Sequence, residues 1–184
     1  GEIKAVWIAC TNPAQSLPNQ AEVRASLASA DYVVVQEAYA HTDTTAYADL
    51  LLPATTWGEK QGTVTNSERC ISHVNAAVPA PGEARHDWEI VVDFARRLGE
   101  KLAHPATQQL FPYTDVEAIF NEHRETTRGR DLDITGLSYA LLEARGPQQW
   151  PFPEGASSGK VRLYADGIFP TPDGKARFVL AEHH

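Results

Sequence analysis

AVWIACTNPAQSLPNQAEVRASLASADYVVVQEA, residues Ala5 to Ala38, carries the signature of one supersecondary unit. It opens on AVWIA, Ala5–Ala9, a short continuous apolar run of the kind that forms a strand buried on both faces of a parallel sheet. Cys10 to Asn19 follow, a loop punctuated by Pro13 and Pro18 and by Asn12 and Asn19. Gln20 to Ala30 then place Val23, Leu27 and Ala30 on one helical face. Tyr32 to Ala38, YVVVQEA, is a second apolar run. Strand, loop, helix and strand in that order predict a βαβ crossover of the usual right hand.

Downstream, Thr45–Asp49 predicts a helical turn and Leu50–Leu52 a third short strand, ended by Pro53. The next stretch, TTWGEKQGTVTNSER, Thr55 to Arg69, holds four threonines, two glycines, a lysine and an adjacent Glu68–Arg69 pair. It reads as a long polar loop in which Glu68 and Arg69 form a structural ion pair. Cys70 to Val78 alternates weakly, as an edge strand or extended segment does. The clearest helix lies within Pro79 to Leu102. Asp87 is its expected N-cap and Gly99 its C-cap, with Trp88, Val91, Val92, Ala95 and Leu98 at helical spacing. A second helix opens at a Thr114–Glu117 capping box, and a third, within Leu137–Gly146, ends at Gly146-Pro147. The tail, Lys160 to Glu182, alternates on both sides of Pro172-Asp173-Gly174 and predicts a β-hairpin.

The expected class is therefore α/β: a Rossmann-like, mostly parallel sheet flanked by helices, with a C-terminal helical segment and a β-hairpin. The composition shift at Ala103–Pro112 sets the expected boundary between an α/β segment, 4–102, and a helical segment with hairpin, 103–182. His183-His184 is expected to be a purification remnant and Gly1 a cloning scar. The abrupt start in a strand is what a piece cut from a longer protein shows.

The 184 residues are 42% hydrophobic, enough for a real core, and the net charge is −8. That charge opposes non-specific nucleic-acid binding, and no apolar run nears the ~20 residues of a membrane span. It does not oppose an anionic small molecule, which backbone amides and one lysine can hold. Cys10 and Cys70 form no CxxC or zinc spacing and read as buried thiols in a reducing compartment. GxSxG, HExxH, Walker and GxGxxG patterns are all absent, and the histidines show no metal-site spacing.

The placing of the polar residues is more informative. In an open parallel sheet, ligands bind beyond the carboxyl ends of the strands. Cys10-Thr11-Asn12 follows the first strand, Gln36-Glu37 closes the second with His41 and Thr42 beyond, and the Trp57–Arg69 loop follows the third. Asn12 offers an amide to a ring edge or phosphate, Glu37 two acceptors to an amino-pyrimidine edge or ribose, and Lys60 a charge for phosphate. Gly58 and Gly62 would let backbone approach a ligand. Asp87 either caps its helix or bonds ligand amino groups.

VWIACTNPAQSLPN, VVVQEAYAHTDTTAYADLLLPATTWGEKQGTVTNSER and PGEARHDWEIVVDFARRLG together resemble the molybdopterin oxidoreductases, and within them the catalytic subunit of bacterial assimilatory nitrate reductase. ADLLLPATTWGEKQGTVTNSER is the most specific part, and the likeness runs from Lys4 to Phe178. The resemblance implies a molybdenum ion held by two pterin guanine dinucleotides, one cradled by this segment. Family contacts to it fall on Asn12, Gln36, Glu37, Lys60 and Asp87, with Thr42 added. Glu37 stands where many relatives carry aspartate. The resemblance also implies an interior piece of a longer cytoplasmic subunit. The parent's 4Fe-4S cluster, molybdenum ligand and closing barrel would lie outside it, and the parent would reduce nitrate to nitrite by oxygen-atom transfer. Implied partners are the remainder of that subunit and an electron donor protein or reductase subunit, with neither nucleic acid nor membrane. A bare strand edge would pair copies of the chain unless the C-terminal hairpin covered it. A formate dehydrogenase, a periplasmic nitrate reductase, a free nucleotide-binding module or a segment without ligand affinity are the competing readings.

Overall fold

The computed structural model describes residues 2–180. Gly1, the expected tag pair at 183–184 and the last two residues of the expected hairpin, 181–182, lie outside them. The chain divides into two compact units that interleave in sequence: residues 1–61 with 75–114, and residues 62–74 with 115–184. This differs from the single boundary expected at Ala103–Pro112. The long polar loop is where the chain leaves the first unit, because its second half forms a strand.

The first unit is built on three parallel strands in the order β1-β2-β3: β1 Ala5–Ala9, β2 Tyr32–Glu37 and β3 Leu50–Pro53. The register pairs Ala9 with Gln36 and Glu37 with Pro53, so the carboxyl ends lie level. The expected βαβ unit is present: helix α1 (Pro13–Ser16) and helix α2 (Gln20–Ser29) join β1 to β2. Only the central strand is buried throughout much of its length. Val33 and Val35 of β2 pack with Ile8 of β1, with Leu27 of α2 and with Ala30, its C-cap. Strand β1 departs from the expectation of burial on both faces, with Ile8 its one buried residue, and β3 is open as well. Leu50 and Leu51 stand about half exposed, because an edge strand has a neighbour on one side alone.

Helix α3, Asp87–Lys101, starts and stops differently from its expected limits. His86, not Asp87, is the N-cap, in a reciprocal arrangement with Glu89. Gly99 is not a C-cap. It is buried inside the helix, where an added Cβ would fall 2.0 Å from Thr107 Oγ1 of helix α4 (Thr107–Leu110). The helix instead ends in a Schellman motif. Ala103 takes φ of 50° and donates to Glu100 O at 3.1 Å, while His104 donates to Gly99 O at 2.8 Å. Leu102 is the C-cap, so α3 runs past the expected stop.

The second unit holds an antiparallel sheet in the order β4-β5-β6: β4 Gly62–Thr65, β5 Cys70–Val74 and β6 Gln148–Gln149. Cys70–Val74 is thus the central strand, not an edge. Ile71 joins Phe120 of helix α5 (Val116–Thr126), Tyr139 and Leu142 of helix α6 (Tyr139–Arg145), and Ile134, Leu137 and Phe152 in one core. The cap of α5 is Asp115, whose carboxylate accepts from Ala118 N at 2.8 Å, one residue past the expected Thr114. Helix α6 ends at Gly146, φ 74°, as expected.

Two further expectations fail here. Arg69 does not pair with Glu68. It bonds the Trp150 carbonyl, donates to Val161 O at 2.8 Å and lies over the Trp150 ring, so it fastens the chain beyond β6. The C-terminal hairpin is absent from residues 160–180. A turn forms, with Gly174 N donating to Thr171 O at 3.0 Å, but no strand flanks it. Alternation selects a strand where a partner strand and a core face exist, and this segment has neither among the described residues.

Candidate functional site

The carboxyl ends of β1, β2 and β3 open into a cavity of about 250 Å³. Its walls come from Cys10 after β1, from Gln36, Glu37 and Tyr39 at the end of β2, from Thr55 to Trp57 and Lys60 after β3, and from Asp87. Larger hollows lie elsewhere: two lined chiefly by apolar sheet and helix residues, and a third by polar side chains that include Arg85, Glu89, Asp93 and Arg96.

Asp87 is the first residue of α3 and anchors the cavity. Its Oδ1 accepts from Gln36 Nε2 at 2.8 Å and from Cys10 Sγ at 3.7 Å; its Oδ2 accepts from Lys60 Nζ at 3.2 Å. Burial pushes the Asp87 carboxyl up, but the bonds from Gln36 and Lys60, the Lys60 charge and the Cys10 thiol outweigh it, holding the carboxyl below its ordinary value. For Cys10 the balance runs the other way. Burial, then the charge and bond of Asp87, push the thiol up, against a smaller opposing pull from Lys60. The thiolate that would attack or ligate is therefore disfavoured.

Gln36 is only 2% exposed, and its Oε1 is buried with no hydrogen-bond partner among the described residues. A buried amide oxygen left unpaired costs about 1–3 kcal/mol. Glu37 is oriented by its own backbone: Oε1 accepts from Ala38 N at 2.8 Å and Tyr39 N at 3.3 Å, which leaves Oε2 for another donor. Trp57 is 63% exposed at the rim, with the Lys60 ammonium 5.8 Å from its ring centroid. A capping box between Thr56 and Glu59 and bonds from Ala77 and Val78 to Gly58 O hold that turn in place.

The structure thus gathers Gln36, Glu37, Lys60 and Asp87 and leaves the other two expected residues elsewhere. Asn12 does not line the cavity. Its Oδ1 accepts from Thr44 N at 3.1 Å and Thr44 Oγ1 at 2.5 Å, and its Nδ2 donates to Gln15 at 3.0 Å, so its amide ties α1 to the turn after β2. Thr42 is likewise spent, in a reciprocal pair of bonds with Thr45. Gly58 and Gly62 are not among the lining residues; Gly62 belongs to β4. The loop from Thr55 to Arg69 is a wall of the cavity only as far as Lys60. Cys10 and Trp57 also line the cavity; both were named at the strand ends, but neither side chain was given a role. Cys10, expected to be buried, is exposed, and both cysteines are free. Its position directly after β1 was the available signal, and for Trp57 it was an indole within a glycine-bearing polar turn.

A short parallel sheet with an acceptor-rich cavity beyond its strand ends has the shape of an open α/β domain. Residues 1–97 match the family described as Molybdopterin oxidoreductase. The chain is 39% identical over 183 residues to a nitrate reductase of Synechocystis sp., an alignment covering 97% of this chain and 25% of that protein. It is 40% identical over 176 residues to the assimilatory nitrate reductase catalytic subunit of Bacillus subtilis, covering 96% and 24%. An F420-dependent formate dehydrogenase subunit alpha of Methanocaldococcus jannaschii is 37% identical over 181 residues, covering 98% and 25%. In fold, the chain resembles acetylene hydratase from Pelobacter acetylenicus, with a TM-score of 0.65 at 22% identity over 94% of this chain and 21% of that one. The chain belongs to the molybdopterin oxidoreductase family, whose cofactor is a molybdenum-bearing pterin. It spans about a quarter of the length of the curated relatives it matches.

Proposed function

We propose that this chain is the part of a molybdenum-dependent nitrate reductase catalytic subunit that holds the guanine dinucleotide end of a bis-molybdopterin guanine dinucleotide. The observation that carries the reading is the cavity at the strand ends, lined by both Gln36, whose Oε1 is unpaired, and Glu37, whose carboxylate is half free. Both are acceptors, and guanine presents two adjacent donors, its ring N–H and its amino group. Lys60 supplies a cation for the diphosphate, and the exposed Trp57 ring a face for stacking. The residues present fit the nucleotide end of such a group. Among the described residues no group of three or more His, Cys, Asp and Glu side chains is placed to hold a metal ion, so the reading concerns the nucleotide end alone.

When bound, the cofactor supplies two-electron oxygen-atom transfer, which in the parent subunit turns nitrate into nitrite. The residues of this chain bind and orient; none is placed to touch nitrate. Two free cysteines cannot hold a 4Fe-4S cluster, which takes four thiolates, so that centre belongs to other parts of the subunit. The remainder of the subunit and an electron donor protein or reductase subunit are its partners. Free thiols and relatives named as assimilatory enzymes support a cytoplasmic site. Among the described residues no helix is long and apolar enough to cross a membrane.

Calorimetric titration with GDP tests the reading. Binding to the wild-type protein is expected, weakened about tenfold or more by Glu37→Ala and by Lys60→Ala. No heat with GDP at millimolar concentration would sink it and leave a segment without nucleotide affinity. The formate dehydrogenase likeness favours a second reading, in which the same cavity serves a subunit that oxidises formate. Assay of the full-length protein with nitrate and with formate separates the two.

A further inference from the structure

The two faces of the parallel sheet are unequally covered. On one, Leu27 of α2 and Ala30 help to bury Val33 and Val35. On the other, α3 meets the sheet where Phe94 stands edge-on to Trp7, ring centroids 4.9 Å apart, and a hollow of about 500 Å³ opens beside that contact. The strand register sets Trp7, Val34 and Leu50 in one row across this face. All three line the hollow, together with Tyr32, Ile90 and Phe94. Parallel sheets ordinarily have both faces covered, and here one is covered only in part.

The opening extends along the helix. Val91, Phe94 and Leu98 recur at i, i+3 and i+7 of α3, and each is between 42% and 49% exposed. Seven residues make about two turns, so the three form one apolar stripe, and Phe94 belongs to both stripe and hollow. An apolar seam of this spacing suits the side of a neighbouring helix. It asks for no charge, because the rim residues Arg85 and Arg97 both bond Asp93, at 3.0 and 2.9 Å. An added strand is the poorer fit. Arg85 bridges Ala54 in parallel fashion and donates to Pro53 O at 3.1 Å, so the outer edge of β3 is already taken at its carboxyl end.

We infer that a helix from the remainder of the parent subunit docks on this face, its apolar side along Val91, Phe94 and Leu98 and its side chains in the hollow. The chain spans about a quarter of the curated relatives it matches, so most of such a subunit lies outside it. This docking rests on the chain's being part of a longer subunit and not on the nucleotide site, so either can fail without the other.

Hydroxyl-radical footprinting of the chain alone and of the full-length subunit tests the contact. Oxidation of Val91, Phe94 and Leu98 should fall about fivefold or more in the full-length subunit, as packing at the core of an interface excludes water. Leu98→Lys supplies the second arm. In the chain alone, where the position faces solvent, it should move the melting temperature by no more than about 2 °C. In the full-length subunit it should return Phe94 to the oxidation seen in the chain alone. Equal oxidation of the stripe in the two wild-type proteins would overturn the inference. A Leu98→Lys chain that melts far lower would also overturn it, since the stripe would then belong to the chain's own core. Protection that grows with the concentration of the chain alone would make a second copy the occupant, against the inference. Slowed hydrogen exchange at the β3 amides of the full-length subunit, with the stripe still oxidised, would put a strand at the edge in place of the helix and overturn it as well.

Discussion

At the residue scale, the centre of the site is a half-buried ion pair, Lys60 with Asp87, and its worth depends on pH. The Asp87 carboxyl is held below its ordinary value, so folding favours its charged form. A depressed folded value contributes stability that is fully present above the unfolded value, near pH ~3.9, and is lost as the pH falls through the folded one. Wild-type stability should therefore fall below about pH 4.5 more steeply than that of Asp87→Asn. Urea unfolding of both proteins between pH 7 and pH 3 measures the difference. Parallel curves would show that the carboxylate gains nothing from its neighbours. Gln36, Glu37, Lys60 and Asp87 were legible in the sequence because each follows a strand end or opens a helix. Asn12 and Thr42 lie outside the cavity wall for a physical reason. A short polar side chain at a strand end can bond its own turn as readily as a ligand, and Thr44, fully buried at 0% exposure, claims the Asn12 amide.

At the scale of the element, helix α3 carries the Asp87 wall, and its far end shows how a sequence signal can be overridden by packing. Gly99 lies three residues before the C-cap and owes its identity to Thr107, which leaves no room for a Cβ. Gly99→Ala should cost about 1–3 kcal/mol despite the better helix propensity of alanine. Ala103 sits where glycine is favoured, at φ 50°. Ala103→Gly should stabilise the protein by about 0.5 kcal/mol, the relief of left-handed strain exceeding the added freedom of the unfolded chain. Thermal melts of the two variants check both signs, and a stabilised Gly99→Ala would contradict the packing. The strands of the first unit were legible because their apolar runs are continuous. Strand β4 was not, since Gly62–Thr65 has the composition of a loop and becomes a strand only by pairing with β5. The tail around Pro172 is the converse case: it alternates, yet nothing described pairs with it.

At the scale of the whole molecule, three parallel strands are too few to bury themselves. Parallel sheets are ordinarily covered on both faces and continued at their edges. Among the described residues β1 pairs with β2 alone, β3 gains on its other side only a bond from Arg85 N to Pro53 O at 3.1 Å, and Ile3, Leu50, Leu51 and Phe94 remain substantially exposed. The expected hairpin does not form among the described residues. The outer edge of β1 presents unpaired backbone N–H and C=O groups, a template that a second copy of the same strand can meet. The chain by itself should accordingly associate through β1, with sedimentation equilibrium showing a dimer at tens of micromolar. Ile3→Lys, placing a charge beside that edge where the wild-type side chain is 74% exposed, should return it to the monomer without changing its melting profile at low concentration. A wild-type chain that stays monomeric through that range would mean that the β1 edge is protected despite its lack of a strand partner. A dimer untouched by Ile3→Lys would move the contact to another face, with the Leu50, Leu51 and Phe94 side of the sheet as the next to charge.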